Sequence, residues 1–172
     1  YLMVGYHGVD INHPDHLVLN TISAIMGRGR SSRLYERMVK EEQIATSVSS
    51  YMPYSKYPGL FTFFIVPAPG KTAAQNEKVL NEELNRLKTE LVTPEEMEKA
   101  RTSERAYLVR QMNSNAGLAE QLGFYQALTG DWRTLFHVLD RMNGITAEDV
   151  QRVAQTYFQD TNRTVGTLAT SK

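Results

Sequence analysis

The histidines near the N-terminus are the first residues whose type and spacing suggest chemistry. His13 and His16 lie three residues apart, and two histidines at this spacing can share one helix face and bind a metal ion. His7 and His137 are the other imidazoles, and no glutamate stands at the spacing of a zinc-peptidase helix. Because a closed metal site needs more ligands than one pair supplies, we interpret this segment as a solvated helix start.

A basic segment with two glycines follows, and it suggests anion binding. Gly27-x-Gly29 would let backbone amides approach a phosphate, but the third glycine of the dinucleotide fingerprint is replaced by Ser32. The P-loop Lys-Ser/Thr pair is also missing. Basic clusters of this kind are usually solvated faces, so an anion-binding module is the weakest functional hypothesis. The cluster consists of Arg28, Arg30, Arg33, Arg37 and Lys40.

Paired carboxylates are the remaining candidates for acid–base chemistry. Adjacent residues point in different directions on a helix, so each pair predicts surface charge or helix capping rather than a shared site. The chain has no Gly-x-Ser-x-Gly motif and no cysteine, which excludes a disulfide scaffold and a cysteine nucleophile. We therefore predict no catalytic residue and no metal ligand in this chain. The pairs are Glu41/Glu42, Glu82/Glu83 and Glu95/Glu96.

The composition bounds the class of protein further. The 172 residues are most simply one domain, and 19 basic against 19 acidic residues create no global field that favours nucleic acid. The longest run that is apolar apart from one threonine, residues 60–66, is far shorter than a membrane span needs, so we expect no span. The chain opens at Tyr1 inside a strand-like alternation, which we interpret as a piece cut from a longer protein.

Apolar periodicity predicts the elements of the first forty residues. Alternate apolar positions are typical of a strand with one buried face, whereas asparagine and proline are typical of a helix start. Glycines at the end of the first helix indicate where it stops. The predicted elements are a strand over residues 1–6, a helix opened by Asn12 and Pro14 and ended by Gly27, and a helix over residues 32–40 capped by Ser31 or Ser32.

A long β-hairpin is predicted next. Residues 44–52 alternate as a strand that ends at Pro53, and residues 60–66 form a fully covered partner strand. Tyr54 and Tyr57 lie beside the turn, where tyrosines pack against a sheet or line a cleft.

From Lys71 onward the apolar spacing changes to about 3.6 residues, which predicts a run of helices. Capping boxes indicate helix starts at Thr93 and Thr146, and a last strand is predicted over residues 164–170. The pattern predicts an α+β fold: a two-layer sandwich of a mostly antiparallel sheet with helices on one face. Glycines close two further helices, one carrying Leu118, Leu122, Tyr125 and Leu128 and ended by Gly130, the other capped by Asp131 and ended by Gly144.

Several segments together resemble one family of zinc peptidases. Residues 29–35 and 44–48, the helix start at residues 93–100, and the closing helix from Thr146 with Asn162-Arg163 after it are similar to the C-terminal domain of the insulinase/pitrilysin family. The similarity is greatest to its processing-peptidase-like branch and covers nearly the whole chain. The resemblance implies the LuxS/MPP-like metallohydrolase fold and a C-terminal, non-catalytic domain spanning residues 1–172. It also implies a zinc motif, H-x-x-E-H, in a separate N-terminal domain.

The family uses an arginine and a tyrosine, seven residues apart, to hold substrate near the zinc. The matching positions here are Val39 and Thr46, which have neither a guanidinium nor a phenol. Arg37 is two residues away, about 200° around an α-helix, so we expect it to point elsewhere. The resemblance therefore implies no confident substrate-binding residue, although Arg30, Arg33 and Arg37 are candidates for a chamber or partner surface.

Three functional hypotheses remain open at this point. The first is a wall of a zinc peptidase chamber, whose partners are an N-terminal zinc-binding domain, a second related chain and a peptide substrate. The second is a structural or complex-assembly subunit of the same fold without activity. The third is the anion-binding module. Family resemblance alone suggests the bacterial periplasm or membrane periphery, and no cofactor is expected in this domain itself.

Overall fold

An antiparallel sheet forms one layer of the molecule. The computed structural model describes residues 1–168, in which the strands are Leu2–His7 (β1), Ala45–Tyr51 (β2), Leu60–Pro67 (β3) and Arg163–Thr167 (β4). Their order is β2-β3-β1-β4, and each neighbouring pair is antiparallel. This confirms the predicted hairpin and the mostly antiparallel sheet. The prediction that residues 60–66 form a fully covered strand was wrong, because Leu60 and Phe64 are exposed on the face of the sheet away from the core. Residues 169–170 of the predicted last strand lie outside the described residues.

Six α-helices form the second layer of residues 1–168. Thr93 and Thr146 accept a backbone hydrogen bond from the third helical residue, and that residue's carboxylate accepts one in return, so both predicted capping boxes are confirmed. Gly130 ends its helix at a φ of 81°, a conformation that glycine adopts without strain. The helices are His16–Gly27 (α1), Ala73–Thr89 (α2), Pro94–Gln111 (α3), Asn115–Thr129 (α4), Thr134–Asn143 (α5) and Ala147–Tyr157 (α6).

The core lies between the sheet and the helices, on one face of the sheet only. Leu2, Val4 and Tyr6 of β1 point into it, while Met3 between them is half exposed. The rings of Tyr6, Phe61, Phe63 and Phe158 meet at centroid distances of 5.0 to 6.4 Å. This packing confirms the two-layer α+β prediction with helices on one face.

The first helix begins later than its sequence predicts. Asn12 does not cap a helix, because its backbone amide donates to Asp10 Oδ1 at 2.8 Å and His13 N donates to Asp10 O at 3.2 Å. The aspartate thus holds residues 10–13 in a turn, and α1 starts only at His16. Asp131 acts similarly before α5, where it accepts from Arg133 N at 3.0 Å and the helix begins at Thr134.

The second predicted helix is a π-helix over Tyr35–Glu41 rather than a capped α-helix over residues 32–40. Ser32 does not cap it, because its hydroxyl donates to Gly29 O at 2.8 Å and the side chain is buried. The wide turn closes with Glu42 N donating to Arg37 O at 2.8 Å.

Candidate functional site

The basic segment from Arg28 to Lys40 is not a free cationic surface. Arg28 Nη1 lies 2.7 Å from Glu104 Oε2, and Arg33 donates to both oxygens of Glu96 at 2.5 and 2.9 Å. Lys40 pairs with Glu36 one turn away at 2.7 Å. Arg30 is exposed and makes no ion pair with any of residues 1–168. These contacts weigh against the anion-binding hypothesis, since most of the positive charge is already paired.

Arg37 sits at the centre of a carboxylate cluster. It donates to Glu42 at 2.7 Å, to Glu83 at 2.9 Å and also to Glu82. Burial alone would lower the pKa of Arg37, but the three carboxylates raise it above its usual value. The prediction that Glu82/Glu83 is only surface charge was wrong for Glu83, whose side chain is fully buried against Arg37 and Arg86.

Glu96 links the basic segment to the start of α3. It closes the capping box with Thr93 and at the same time accepts both hydrogen bonds from Arg33. Burial would raise the pKa of Glu96, but the bonds from Arg33 and Thr93 lower it to about 2. The capping role of Glu96 follows from its sequence, whereas its pairing with Arg33 does not.

The two positions that replace the family's arginine and tyrosine differ in exposure. Val39, in the π-helix, is half-buried against the core. Thr46 is exposed at an irregularity in the β2–β3 pairing between Ala45 and Ser47, and its hydroxyl donates to Val66 O at 3.2 Å. Neither side chain offers a charged donor or a phenol, and the Thr46 hydroxyl already has a backbone partner.

The histidine pair is a packing feature of the helix start. His16 is only 1% exposed, so the solvated interpretation was wrong for it. Its Nε2 lies 3.1 Å from Pro53 O, and its ring meets Tyr54 edge-on at 4.8 Å. Burial lowers the pKa of His16, which keeps the ring neutral. His13 Nδ1 instead accepts from Asp15 N at 3.1 Å.

Tyr54 connects the hairpin turn to the helical layer. Its hydroxyl donates to Glu104 Oε1 at 3.3 Å, and Glu104 is 2% exposed while paired with Arg28. Tyr54 lines a cavity between α3 and α4, as its place beside the turn allowed. Tyr57 is exposed in the turn.

The sequence interpretation missed the buried carboxylates, although a signal for them exists. Glu83 lies four residues after Val79 and four before Leu87, and Glu104 lies four after Ala100 and four before Leu108. A glutamate at a core position of an apolar helix face predicts a buried partner, because an isolated buried charge is costly.

Residues 1–168 contain no group of three or more histidine, cysteine, aspartate or glutamate side chains that could hold a metal ion. Zinc therefore does not fit the residues of this domain. In the same range, no helix combines the length and apolar composition needed to cross a bilayer.

The chain is similar in sequence to one peptidase family and to several of its members. The family profile described as the peptidase M16 inactive domain matches residues 1–104. The zinc protease PqqE of Helicobacter pylori is 24% identical over 164 residues, covering 95% of this chain and 37% of that protein. A mitochondrial-processing peptidase subunit beta of Schizosaccharomyces pombe is 26% identical over 92% of this chain and 36% of its own length. The chain thus spans little more than a third of these relatives.

Solved structures show the same fold. The inactive peptidase domain of a zinc protease from Bordetella parapertussis superposes with a TM-score of 0.86 at 27% identity, covering 99% of this chain and 91% of that one. A protease from Helicobacter pylori superposes with a TM-score of 0.88 at 24% identity, over 95% of this chain and 39% of that one. The family match, which covers more than half of the chain, and these relatives confirm the resemblance: the chain belongs to the family of M16 peptidase inactive domains.

Proposed function

We propose that this chain is the non-catalytic C-terminal half of a zinc metalloendopeptidase, where it forms one wall of the substrate chamber and an interface with a partner. An N-terminal domain of the same parent chain holds the zinc, and a second related chain supplies the substrate-holding arginine and tyrosine. Peptides are the substrate class. The observation that carries this proposal is the open, apolar face of the sheet.

That open face presents large apolar side chains that none of the helices in residues 1–168 covers. Met3 and Phe64 are paired across β1 and β3, and the Tyr1 ring stacks on Phe64 at 5.7 Å. Tyr51 and Leu60 extend the patch, with exposed fractions of 61% and 46%. Several large apolar side chains exposed on one face are typical of a surface that another folded unit covers. The patch therefore supports an interface on this side of the sheet.

The substitutions at Val39 and Thr46 support a role that depends on a partner. Neither side chain can replace a guanidinium or a phenol in holding a peptide, and Arg37 is engaged by three carboxylates. Zinc chemistry likewise needs ligands that residues 1–168 do not bring together. A peptidase built with this domain must therefore draw both its metal site and its substrate-holding pair from elsewhere.

The first test is to read the coding region upstream of Tyr1 and to measure zinc in the purified parent. An H-x-x-E-H motif and one zinc per parent chain are expected, with chelator-sensitive peptide cleavage that the 172-residue chain alone does not show. A parent without the motif and without zinc would remove the peptidase proposal and leave the complex-assembly alternative.

The interface is tested by mixing the 172-residue chain with the rest of the parent as two polypeptides. Met3→Asp should weaken their association at least about tenfold, because it places an unpaired carboxylate on the face that the partner is proposed to cover. The matched control is Val109→Asp, at a residue that is 56% exposed on α3. Analytical ultracentrifugation gives both dissociation constants. An unchanged constant for Met3→Asp shows that the sheet face is not the interface.

A further inference from the structure

The cavity between α3 and α4 has walls that are unusually rich in aromatic rings. Its volume is about 260 Å³, too small for a whole peptide and large enough for one side chain. Tyr54, Tyr107, Phe124 and Tyr125 line it. Phe124 meets Tyr125 at 5.5 Å and Tyr54 at 6.2 Å, both near edge-on, so each pair occupies one face of only one of its two rings.

One polar group in this wall has no partner. Tyr125 is only 3% exposed as a whole residue, but its hydroxyl oxygen is not buried, and it makes no hydrogen bond to any of residues 1–168. A hydroxyl in this position can bond to water, and a ligand that displaces the water can take over that hydrogen bond. The Tyr125 side chain lines the cavity, so this open hydrogen-bonding position faces a ligand bound there.

The charges that line the cavity are all negative among the described residues. Glu104 lies in the wall, and Glu120 stands exposed at the opening. Arg28 compensates Glu104 through its other side and does not line the cavity. Burial and, after it, the Glu104 carboxylate raise the pKa of Tyr125 to about 12, so the phenol stays protonated at neutral pH. An anionic ligand is disfavoured there.

We propose that this cavity binds a cationic alkylamine or alkylguanidinium group, such as the side chain of a lysine or arginine in a polypeptide. The aromatic faces attract the cation, the Tyr125 oxygen accepts an N–H, and Glu120 adds long-range attraction at the mouth. This site is separate from Val39 and Thr46, and it does not rest on the proposed peptidase role.

The test is an NMR titration of the 172-residue chain with three blocked tripeptides that differ only in the central residue. Acetyl-Gly-Arg-Gly-amide and acetyl-Gly-Lys-Gly-amide should shift the signals of Phe124 and Tyr125, and acetyl-Gly-norleucine-Gly-amide should bind at least about fivefold more weakly. Butylguanidinium is the free-cation arm. Equal affinity of butylguanidinium and the arginine peptide indicates that the side chain alone is recognised, whereas tighter peptide binding indicates that the backbone contributes.

Two variants probe the walls with small changes in side-chain size. Tyr125→Phe keeps the ring and removes the unpaired hydroxyl, and it should weaken arginine-peptide binding about three- to tenfold. Glu120→Gln should weaken it about two- to fivefold and reduce its salt dependence. Glu148→Gln, at an exposed residue of α6, is the matched control and should bind like the unmodified chain.

Three results would overturn the assignment. These are equal binding of the norleucine and arginine peptides, unchanged affinity in both Tyr125→Phe and Glu120→Gln, and no shift of Phe124 or Tyr125 with any cation. The first would mean a merely apolar pocket, and the other two would mean that these walls recognise no cation.

Discussion

The basic segment from Arg28 to Lys40 and the cavity between α3 and α4 treat their polar groups in opposite ways. In the segment, Arg28, Arg33 and Arg37 each meet at least one carboxylate at hydrogen-bonding distance. In the cavity, the Tyr125 hydroxyl makes no hydrogen bond to residues 1–168. The carboxylates thus pair with the arginines of the segment, although Arg33 Nη1 stays buried without a partner among residues 1–168. The cavity instead presents a hydroxyl that can bond to water or to a ligand.

The difference shows that charge density in a sequence is a poor guide to binding in this fold. A guanidinium that already donates to several carboxylates has little left to offer a ligand, and releasing it would expose buried charge. A polar group beside a cavity that makes no hydrogen bond within the protein is, in contrast, free to bond to a ligand. The basic segment is therefore better understood as the clamp that joins the π-helix to α2 and α3.

The largest expected effect comes from breaking that clamp at Arg37. Arg37→Met keeps most of the aliphatic stem but leaves Glu42, Glu82 and the buried Glu83 without their shared cation. We expect the free energy of unfolding to fall by about 2–3 kcal/mol, below the full cost of an unpaired buried charge because Arg86 still pairs with Glu83. Urea denaturation at pH 7 gives the value.

The matched control is Arg30→Met, which removes an exposed arginine from the same segment. Arg30 makes no ion pair within residues 1–168, so we expect the free energy of unfolding to change by less than about 0.5 kcal/mol. Equal effects of the two substitutions would mean that general charge, rather than the carboxylate cluster, governs stability here.

Much of the fold could be predicted from local signals. Apolar periodicity places the strands and helices, and the Thr93 and Thr146 capping boxes form as expected because their partners are three residues away. Where the predicted starts of helices were wrong, a competing short-range contact prevailed, as when Asp10 holds Asn12 in a turn before α1.

The candidate sites depend on contacts that no local pattern reports. Arg28 and Glu104 are 76 residues apart, and Arg37 and Glu83 are 46 apart. Tyr125 looks like an ordinary core residue in the periodicity of α4, and only the placement of α3 beside it creates the cavity. Tertiary arrangement decides which polar groups are satisfied, so these features need coordinates.

A smaller, pH-dependent effect is expected where the clamp reaches α3. Glu96 has a folded pKa of about 2 against an ordinary value of 4.5, so its contribution is complete above about pH 4.5 and is lost as the pH falls towards 2. Glu96→Gln should cost about 1–2 kcal/mol at pH 7, and this difference should shrink through that acidic range. Urea denaturation at pH 7, 4.5 and 3 follows it.

Glu95→Gln is the control for this titration, since Glu95 is the adjacent residue in the same helical turn. Its side chain is 76% exposed and pairs only with Lys99 in residues 1–168. We therefore expect Glu95→Gln to lower the free energy of unfolding by less than about 0.5 kcal/mol, with little dependence on pH. A pH-independent loss in Glu96→Gln would mean that its contact with Arg33 does not depend on charge.

The smallest effects distinguish two of the three tyrosines that line the cavity, Tyr54 and Tyr125. Tyr54→Phe removes a donor from the buried Glu104 and should cost about 1 kcal/mol of unfolding free energy. Tyr125→Phe removes a hydroxyl that has no hydrogen-bond partner within residues 1–168, and it should change the free energy of unfolding by less than about 0.5 kcal/mol. Thermal and urea denaturation of both variants in ligand-free buffer make the comparison. A loss of 1 kcal/mol or more in Tyr125→Phe would mean that the hydroxyl is already satisfied inside the protein. The cavity would then resemble the basic segment, and its walls would have no free group with which to recognise a cation.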